Sequence, residues 1–304
     1  MNFLRIKHLL TMTFGIFSLV MATSAIAGPL VVGGKNFTEQ LILSSMTQQY
    51  LQSKGYSVEL KNGLGTTIMR QAIESGQLDI VWEYTGSSLI VFNKITEKLD
   101  DEQSYERVKQ LDGAKGLIWL KPSKLNNTYA LAVPAKRAEE EGLKTIEDLA
   151  NKIAADRERD PDSKHLFGVD FEFASRSDGL GPMSELYNMN FDRSEVKQMD
   201  PGLVYTALRN DQLYVGLTYS SDGRIGGFNL KLLEDNKGFF PFYTAAPMVR
   251  KEILDANPKL AEQLNALSAT IDTQKMAAMN KQVDIDQQPI AQVAADFLRA
   301  QGLM

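Results

Sequence analysis

Four tyrosines stand at punctuated places in this 304-residue chain: Tyr84 in EYTG, Tyr129 in NNTY, Tyr219 in TYSSDGR and Tyr243 in PFYTAAP. Each opens or closes an apolar run beside small polar or turn-forming residues, where a side chain leaves the core and faces a cleft. Several rings facing one space can form a cation–π box. A ring quadrupole attracts a cation without needing hydrogen bonds, which suits a quaternary ammonium because it has no N–H to donate. Each such contact is worth about 0.5–2 kcal/mol, the upper end when the site is dry. Spacing alone leaves ordinary core or interface packing as the alternative.

The remaining reactive side chains are few. The chain has no cysteine, which removes disulfides, thiolate metal sites and cysteine nucleophiles. Of the two histidines, His8 lies near the N-terminus and His165 follows the polar run 157–164, where it reads as a solvated loop residue rather than the base of a triad. Hydrolytic and metal chemistry are poorly supplied, so the expectation is a binding protein that performs no reaction and carries no cofactor. Met183, Met189 and Met199 read as fillers, Trp82 as a core residue, and Asp222-Gly223-Arg224 as a turn with an internal ion pair.

Residues 1–27 read as a secretory signal. Arg5 and Lys7 supply the positive start, an apolar stretch runs from Leu9 to Val20, and Ala25-Ile26-Ala27 forms an A-x-A cleavage pattern before Gly28. The apolar segment is interrupted by Thr11, Thr13, Gly15 and Ser18 and is short for a membrane span. With no cysteine to acylate, the mature chain is expected free in a bacterial periplasm. Cleavage removes two of the 33 basic residues and none of the 38 acidic ones, leaving a net charge of −7. That balance argues against a nucleic-acid partner, which wants a basic face.

Elements that must position the tyrosines alternate along the chain. Leu30 to Gly33, Tyr56 to Leu60 and Leu78 to Trp82 read as strands, separated by helical patterns at Thr38 to Ser53 and Thr67 to Ser75. This order predicts a mainly parallel sheet with right-handed crossovers. A further strand is expected at Leu166 to Phe171, and a helix led by Thr145 with Glu147 and Asp148 in its first turn.

The two halves echo each other. AIESGQLDIVWEY at 72–84 aligns without a gap on ALRNDQLYVGLTY at 207–219, with Ala72, Gln77, Leu78 and Tyr84 recurring at an offset of 135 residues. Two α/β lobes are expected, each ending a strand in a tyrosine, with a ligand cleft at the carboxyl ends of the strands. A crossing near Thr128 to Val133 and a return near Phe239 to Ala246 divide the chain into lobe 1 at 28–130 and 241–304 and lobe 2 at 131–240. The amphipathic tail, 250–302, is expected to pack as helices on lobe 1.

GGKNFTEQLIL at 33–43, EYTG at 83–86, NNTYALAV at 126–133, YSSDGRI at 219–225 and FFPFYTAAPMVR at 239–250 occur in this order across the mature chain. Together they resemble the glycine betaine/carnitine/choline-binding proteins of osmoprotectant ABC transporters. The resemblance implies an α/β, two-lobed type II periplasmic-binding-protein fold with the ligand cleft between the lobes. It also implies an aromatic cage for the trimethylammonium head at Tyr84, Tyr129, Tyr219 and Tyr243, and docking on permease subunits in the inner membrane. A monomer is expected.

A betaine also carries a carboxylate. Lys35 follows the first strand just before a helix start, where an ammonium and free helix N–H groups converge. The resemblance places a lysine or polar side chain here, against the ligand carboxylate. By resemblance Arg176, in FASRSDGLG, is the second clamp, with bidentate guanidinium geometry available. Ser87 falls where a hydroxyl donor is expected, and Asn127 offers its backbone carbonyl near the ammonium methyls. Lys35 and Arg176 facing neutral tyrosines would leave two cations without a partner when choline binds, favouring zwitterions by at least about tenfold.

Two rivals remain at this level. A polyamine or basic amino acid would favour cleft carboxylates over rings, because those ligands donate N–H bonds. A secreted enzyme on the same fold would need a titratable pair or nucleophile in the cleft. For the leader, we expect the mature protein to begin at or close to Gly28 and to carry no lipid. Intact mass of the periplasmic fraction tests this; a species retaining residues 1–27, or carrying acyl mass, would refute it.

Overall fold

Backbone pairing sorts the apolar runs into two five-stranded sheets. The computed structural model describes residues 28–304, so the signal expected at 1–27 lies outside the described residues. The strands are β1 Leu30–Lys35, β2 Val58–Leu64, β3 Ile80–Tyr84, β4 Leu117–Trp119, β5 Tyr129–Pro134, β6 Phe167–Val169, β7 Val196–Gln198, β8 Val215–Tyr219, β9 Leu230–Leu233 and β10 Ala245–Arg250. They order as β2-β1-β3-β10-β4 and β7-β6-β8-β5-β9.

The sheets are mixed, which corrects the expectation of mainly parallel pairing. β1 runs parallel to β2 and β3, and β6 parallel to β7 and β8. β10 and β5, which enter each sheet from the other, run antiparallel to their neighbours. A chain arriving directly from the opposite sheet has no crossover helix to reverse it, so it must pair head to tail. Strand β6 is also shorter than expected, because Asp170 turns away to accept the Phe173 N–H at 2.7 Å and cap helix Phe171–Ser175. Helix Thr38–Ser53 has the predicted bounds, and Thr145 caps helix Ile146–Arg159 in a capping box with Asp148.

The 135-residue echo extends well beyond the aligned segment. Val32 and Gly33 pair with Ile80 and Val81, and Phe167 and Gly168 pair with Val215 and Gly216 at the same offset. Gly76 and Asp211 both adopt positive φ, and Gln77 and Gln212 donate their N–H groups to Ala72 and Ala207 at 2.8 and 2.9 Å. The leucine after each turn, Leu78 or Leu213, then fills the space over a strand glycine. A Cβ on Gly33 would sit 2.5 Å from Leu78 Cδ1, and one on Gly168 would sit 2.3 Å from Leu213 Cδ1. The same backbone unit therefore delivers Lys35 and Asp170, Gly65 and Asp200, and Tyr84 and Tyr219 to matching places at the strand and helix ends that face the cleft.

The crossings run side by side. Ser123 N–H donates to Ala245 O, Ala245 N–H to Leu125 O and Asn127 N–H to Tyr243 O, at 2.9, 2.9 and 3.1 Å. Tyr243 N–H donates to Asn126 Oδ1 at 2.8 Å. The tail helices Leu260–Ala269, Thr273–Asp284 and Ile290–Ala300 bury Leu260, Leu264, Leu267, Met276, Val293 and Leu298 in the same cluster as Val32 and Ile42. The middle tail helix also leans on the second sheet's side: Asn280 donates to Ser221 O at 3.1 Å, and Gly223 packs on the backbone of Ala277 and Lys281. The tail thus touches more than the first sheet's layer, because only a glycine at 223 lets the turn after β8 come this near.

Gly216 tests the tightness of the second sheet. A Cβ there would lie 2.6 Å from Val204 Cγ1 and 2.8 Å from Leu208 Cδ1, both fully buried on helix Pro201–Arg209. Gly216→Ala is expected to cost about 1–3 kcal/mol by overpacking, read from the denaturant midpoint. An unchanged midpoint would mean the helix yields freely.

Candidate functional site

Six aromatic side chains line one cavity of about 200 Å³ at the cleft-facing strand ends, and five of them pack against one another. Tyr129 and Tyr219 stand 5.3 Å apart between ring centroids, and Tyr129 and Tyr243 stand 5.2 Å apart, edge to face. Phe37 joins the group, stacked on Tyr219 at 5.6 Å and on Tyr84 at 6.4 Å. The rings come from different pieces of chain: Tyr84 and Tyr219 end β3 and β8, Tyr129 opens β5, Tyr243 lies in the return crossing, and Phe37 directly precedes helix Thr38–Ser53. Phe37 lies inside the quoted GGKNFTEQLIL block but was not read from sequence as part of the site. Its position one residue before the helix was the available signal.

The glycine in EYTG also has its reason here. An ideal Cβ on Gly86 would fall 2.7 Å from Phe242 O and 2.8 Å from Tyr243 Cε1. Gly86 lets the return crossing close onto the end of β3, which brings Tyr243 to the cavity. Burial raises the hydroxyl pKa of Tyr84, Tyr129, Tyr219 and Tyr243 above that of free tyrosine, so the rings are neutral.

Of the polar candidates, Lys35, Ser87 and Asn127 line the same cavity as the four tyrosines. Arg176 does not; it lies one side chain behind, donating to Tyr243 Oη at 2.9 Å and to Asp178 Oδ1 at 2.8 Å. Its guanidinium stands 5.7 and 5.8 Å from the Tyr129 and Tyr243 ring centroids. The expectation of two unpartnered cations is corrected. Lys35 Nζ donates to Glu83 Oε1 at 2.7 Å with both side chains buried, and Arg176 is paired with Asp178 and Glu172. Buried charges are costly unless paired, and both are paired within the protein. The Asn127 side chain points to Glu39, Nδ2 donating to Oε1 at 2.8 Å.

The cavity wall also holds Asn36, Thr66, Asp170, Phe171, Glu172, Asp200 and Pro201. Several of these are the 135-residue counterparts of first-half residues: Lys35 with Asp170, Asn36 with Phe171, Phe37 with Glu172 and Thr66 with Pro201. Asp170 is pushed up to about 6, mainly by burial. Behind the rings, Glu39 is buried and pushed up to about 7, again mainly by burial. Neither carboxylate was singled out from sequence, since nothing in their spacing sets them apart from surface acids.

Elsewhere, Trp82 is fully buried, Asp222 and Arg224 form the expected ion pair, and Met183 and Met189 are core residues. His165 is not the solvated residue expected from its polar surroundings. It is buried edge-on against Tyr214 at 4.5 Å with Nε2 3.1 Å from Asp156 Oδ2, because the chain turns inward directly before β6.

Residues 28–300 match the family described as the substrate-binding domain of ABC-type glycine betaine transport systems. The chain is 53% identical over 299 residues to a glycine-betaine-binding protein of Pseudomonas aeruginosa, covering 98% of this chain and 95% of that one. It is 33% identical over 275 residues to the carnitine transport binding protein OpuCC of Listeria monocytogenes, covering 88% of this chain and 85% of the other. A solved structure described as a glycine betaine/carnitine/choline ABC transporter superposes with a TM-score of 0.73 at 29% identity, covering 90% of this chain and 99% of that one.

Gly86→Ala is expected to push Tyr243 out of the cavity wall, since the added Cβ would lie 2.7 Å from Phe242 O and 2.8 Å from Tyr243 Cε1 and the ring can move where the paired backbone cannot. The measurements are the denaturant midpoint, lowered by about 1–3 kcal/mol in stability, and a weakened affinity for glycine betaine, the compound in the family description. Native affinity in this variant would show that Tyr243 is not needed where it stands.

Proposed function

The chain belongs to the family of substrate-binding domains of ABC-type glycine betaine transport systems, and on that premise we propose that it captures a quaternary-ammonium osmolyte in the ring-lined cavity and delivers it to a membrane permease. Its fold is the α/β, two-lobed fold of such binding proteins. The single observation that carries the ligand reading is the convergence of Phe37, Tyr84, Tyr129, Tyr219 and Tyr243 on one cavity. A trimethylammonium head offers only methyl-clad positive charge, and neutral rings are the partner that binds it without hydrogen bonds.

Lys35 and Ser87 are assigned to the ligand's carboxylate end, and Arg176, which donates to the Tyr243 hydroxyl, to holding that ring in place. Lys35 and Ser87 line the cavity itself, and Lys35 keeps N–H donors beyond the one given to Glu83. Arg176 stands behind Tyr243. Lobe 1 at 28–130 and 241–304 and lobe 2 at 131–240 are proposed to close on the ligand by hinge motion at the paired crossings, in the periplasm, with closure read by the permease. No reaction is assigned.

The carboxylates on the cavity raise the rival reading of a ligand with N–H donors. Each has a partner within the protein through one oxygen, while its second oxygen stays open to a ligand N–H: Asp170 caps Phe173, Asp200 accepts the Gly202 N–H at 3.0 Å, and Glu172 pairs with Arg176 at 3.4 Å. The ring box is the better-supplied binding surface.

Tyr84→Ala, Tyr129→Ala, Tyr219→Ala and Tyr243→Ala are each expected to weaken glycine betaine binding by about 0.5–2 kcal/mol in calorimetric titration. Native affinity in all four folded variants would remove the cage. Lys35→Gln is expected to weaken glycine betaine more than choline. Because both basic residues already have carboxylate partners, the native preference for betaine over choline is expected below about tenfold.

A further inference from the structure

Glu39 is a buried carboxylate to which the binding reading gives no task. Its Oε1 accepts the Tyr84 hydroxyl at 2.7 Å and Asn127 Nδ2 at 2.8 Å, and its Oε2 accepts the Ser221 hydroxyl at 2.6 Å. All three donors are neutral. Those donors sit on three segments that carry cage rings: Tyr84 itself, the crossing two residues before Tyr129, and the turn two residues after Tyr219. One side chain on helix Thr38–Ser53 therefore ties together the chain pieces that present three of the four tyrosines.

A carboxylate buried without a cation is costly, and the cost falls when a positive charge arrives nearby. Tyr84 both lines the cavity and donates to Glu39, so the carboxylate lies one side chain from the proposed ammonium position. Donation by the phenol to an anion also makes its ring more electron-rich, which strengthens cation–π attraction. We propose, resting on the quaternary-ammonium reading above, that Glu39 is the counter-charge and positioning residue of the cation site, and that cation binding drives its proton into solvent.

In charge terms, neutral Glu39 and the ligand cation become a Glu39 carboxylate facing a bound cation, and one proton passes to the buffer. The folded protein holds Glu39 at about 7, so the group is partly protonated near neutrality. Other charges face it from each packed element. Asp222 disfavours its ionisation, while Arg224 holds Asp222 and reaches Asp284, whose Oδ1 accepts the Thr38 hydroxyl. The Lys35–Glu83 pair lies across Tyr84, with Lys35 Nζ 5.1 Å from the ring centroid. Asp170, pushed up to about 6, lies on the cavity wall and is the competing proton source.

The sign follows from linkage. A ligand that lowers the Glu39 pKa binds tighter as pH rises through the free-protein value. Glycine betaine titrated calorimetrically in buffers of different ionisation enthalpy should release about 0.4 proton per ligand at pH 7 and bind about five- to tenfold tighter at pH 8 than at pH 6, for a pKa lowered by one to two units. Glu39→Gln should abolish the proton release and bind more weakly than native protein at pH 8. Asp170→Asn should retain it. Ser221→Ala removes one donor to the carboxylate, so the pH at which native affinity is half reached should move upward, a change that a purely structural Glu39 would not produce. Betaine binding to native protein without proton release, or release that persists in Glu39→Gln, would overturn the proposal while leaving the cage standing. No betaine binding to native protein at any pH would overturn the cage reading itself, and this proposal with it.

Discussion

The backbone pairing of the two crossing segments is the constraint on which the rest of the site depends. Ser123, Leu125, Asn127, Tyr243 and Ala245 exchange hydrogen bonds as two antiparallel strands would, although they connect different sheets. That pairing places Tyr243 and Tyr129, more than a hundred residues apart in sequence, edge to face at 5.2 Å. It also seats Tyr243 against Gly86, so the end of β3 shares the same small volume. Hydrogen-bonded backbone of this kind keeps the two segments in fixed register, and with them the rings they carry.

A repeated backbone unit supplies the other walls. The 135-residue offset brings equivalent strand ends and helix starts to face each other, but the side chains there have diverged. Lys35 opposes Asp170 in the repeat, and Phe37 opposes Glu172, while Tyr84 and Tyr219 are kept. Two similar units thus build an asymmetric site: the rings are shared between halves, and the charges differ in sign. Such asymmetry suits a ligand whose two ends differ.

Charge within this region is arranged rather than free. Lys35 answers Glu83, and Arg176 answers Asp178 and Glu172 while also holding the Tyr243 hydroxyl. Arg224 answers Asp222 next to the Ser221 turn. Glu39 is surrounded by neutral donors, and burial without a cation partner is why it holds its proton more tightly than a solvated glutamate. The ring positions therefore depend on a buried polar network as well as on packing.

Several features were determined by sequence alone. Helix Thr38–Ser53, the Thr145 cap, the strands ending in Tyr84 and Tyr219, and the family blocks all rest on local signals: apolar periodicity, capping chemistry and short motifs that act within a few residues. The tyrosines were legible because each sits where an apolar run meets a turn. Tertiary structure alone decided the antiparallel entry of β5 and β10, the burial of His165, the place of Phe37 in the ring group, and the partners of Lys35 and Arg176. These depend on which distant segments meet. Pairing energy and the cost of burying charge are set by neighbours far away in the chain, and no local pattern around Glu39 or Glu83 records what the fold brings against them.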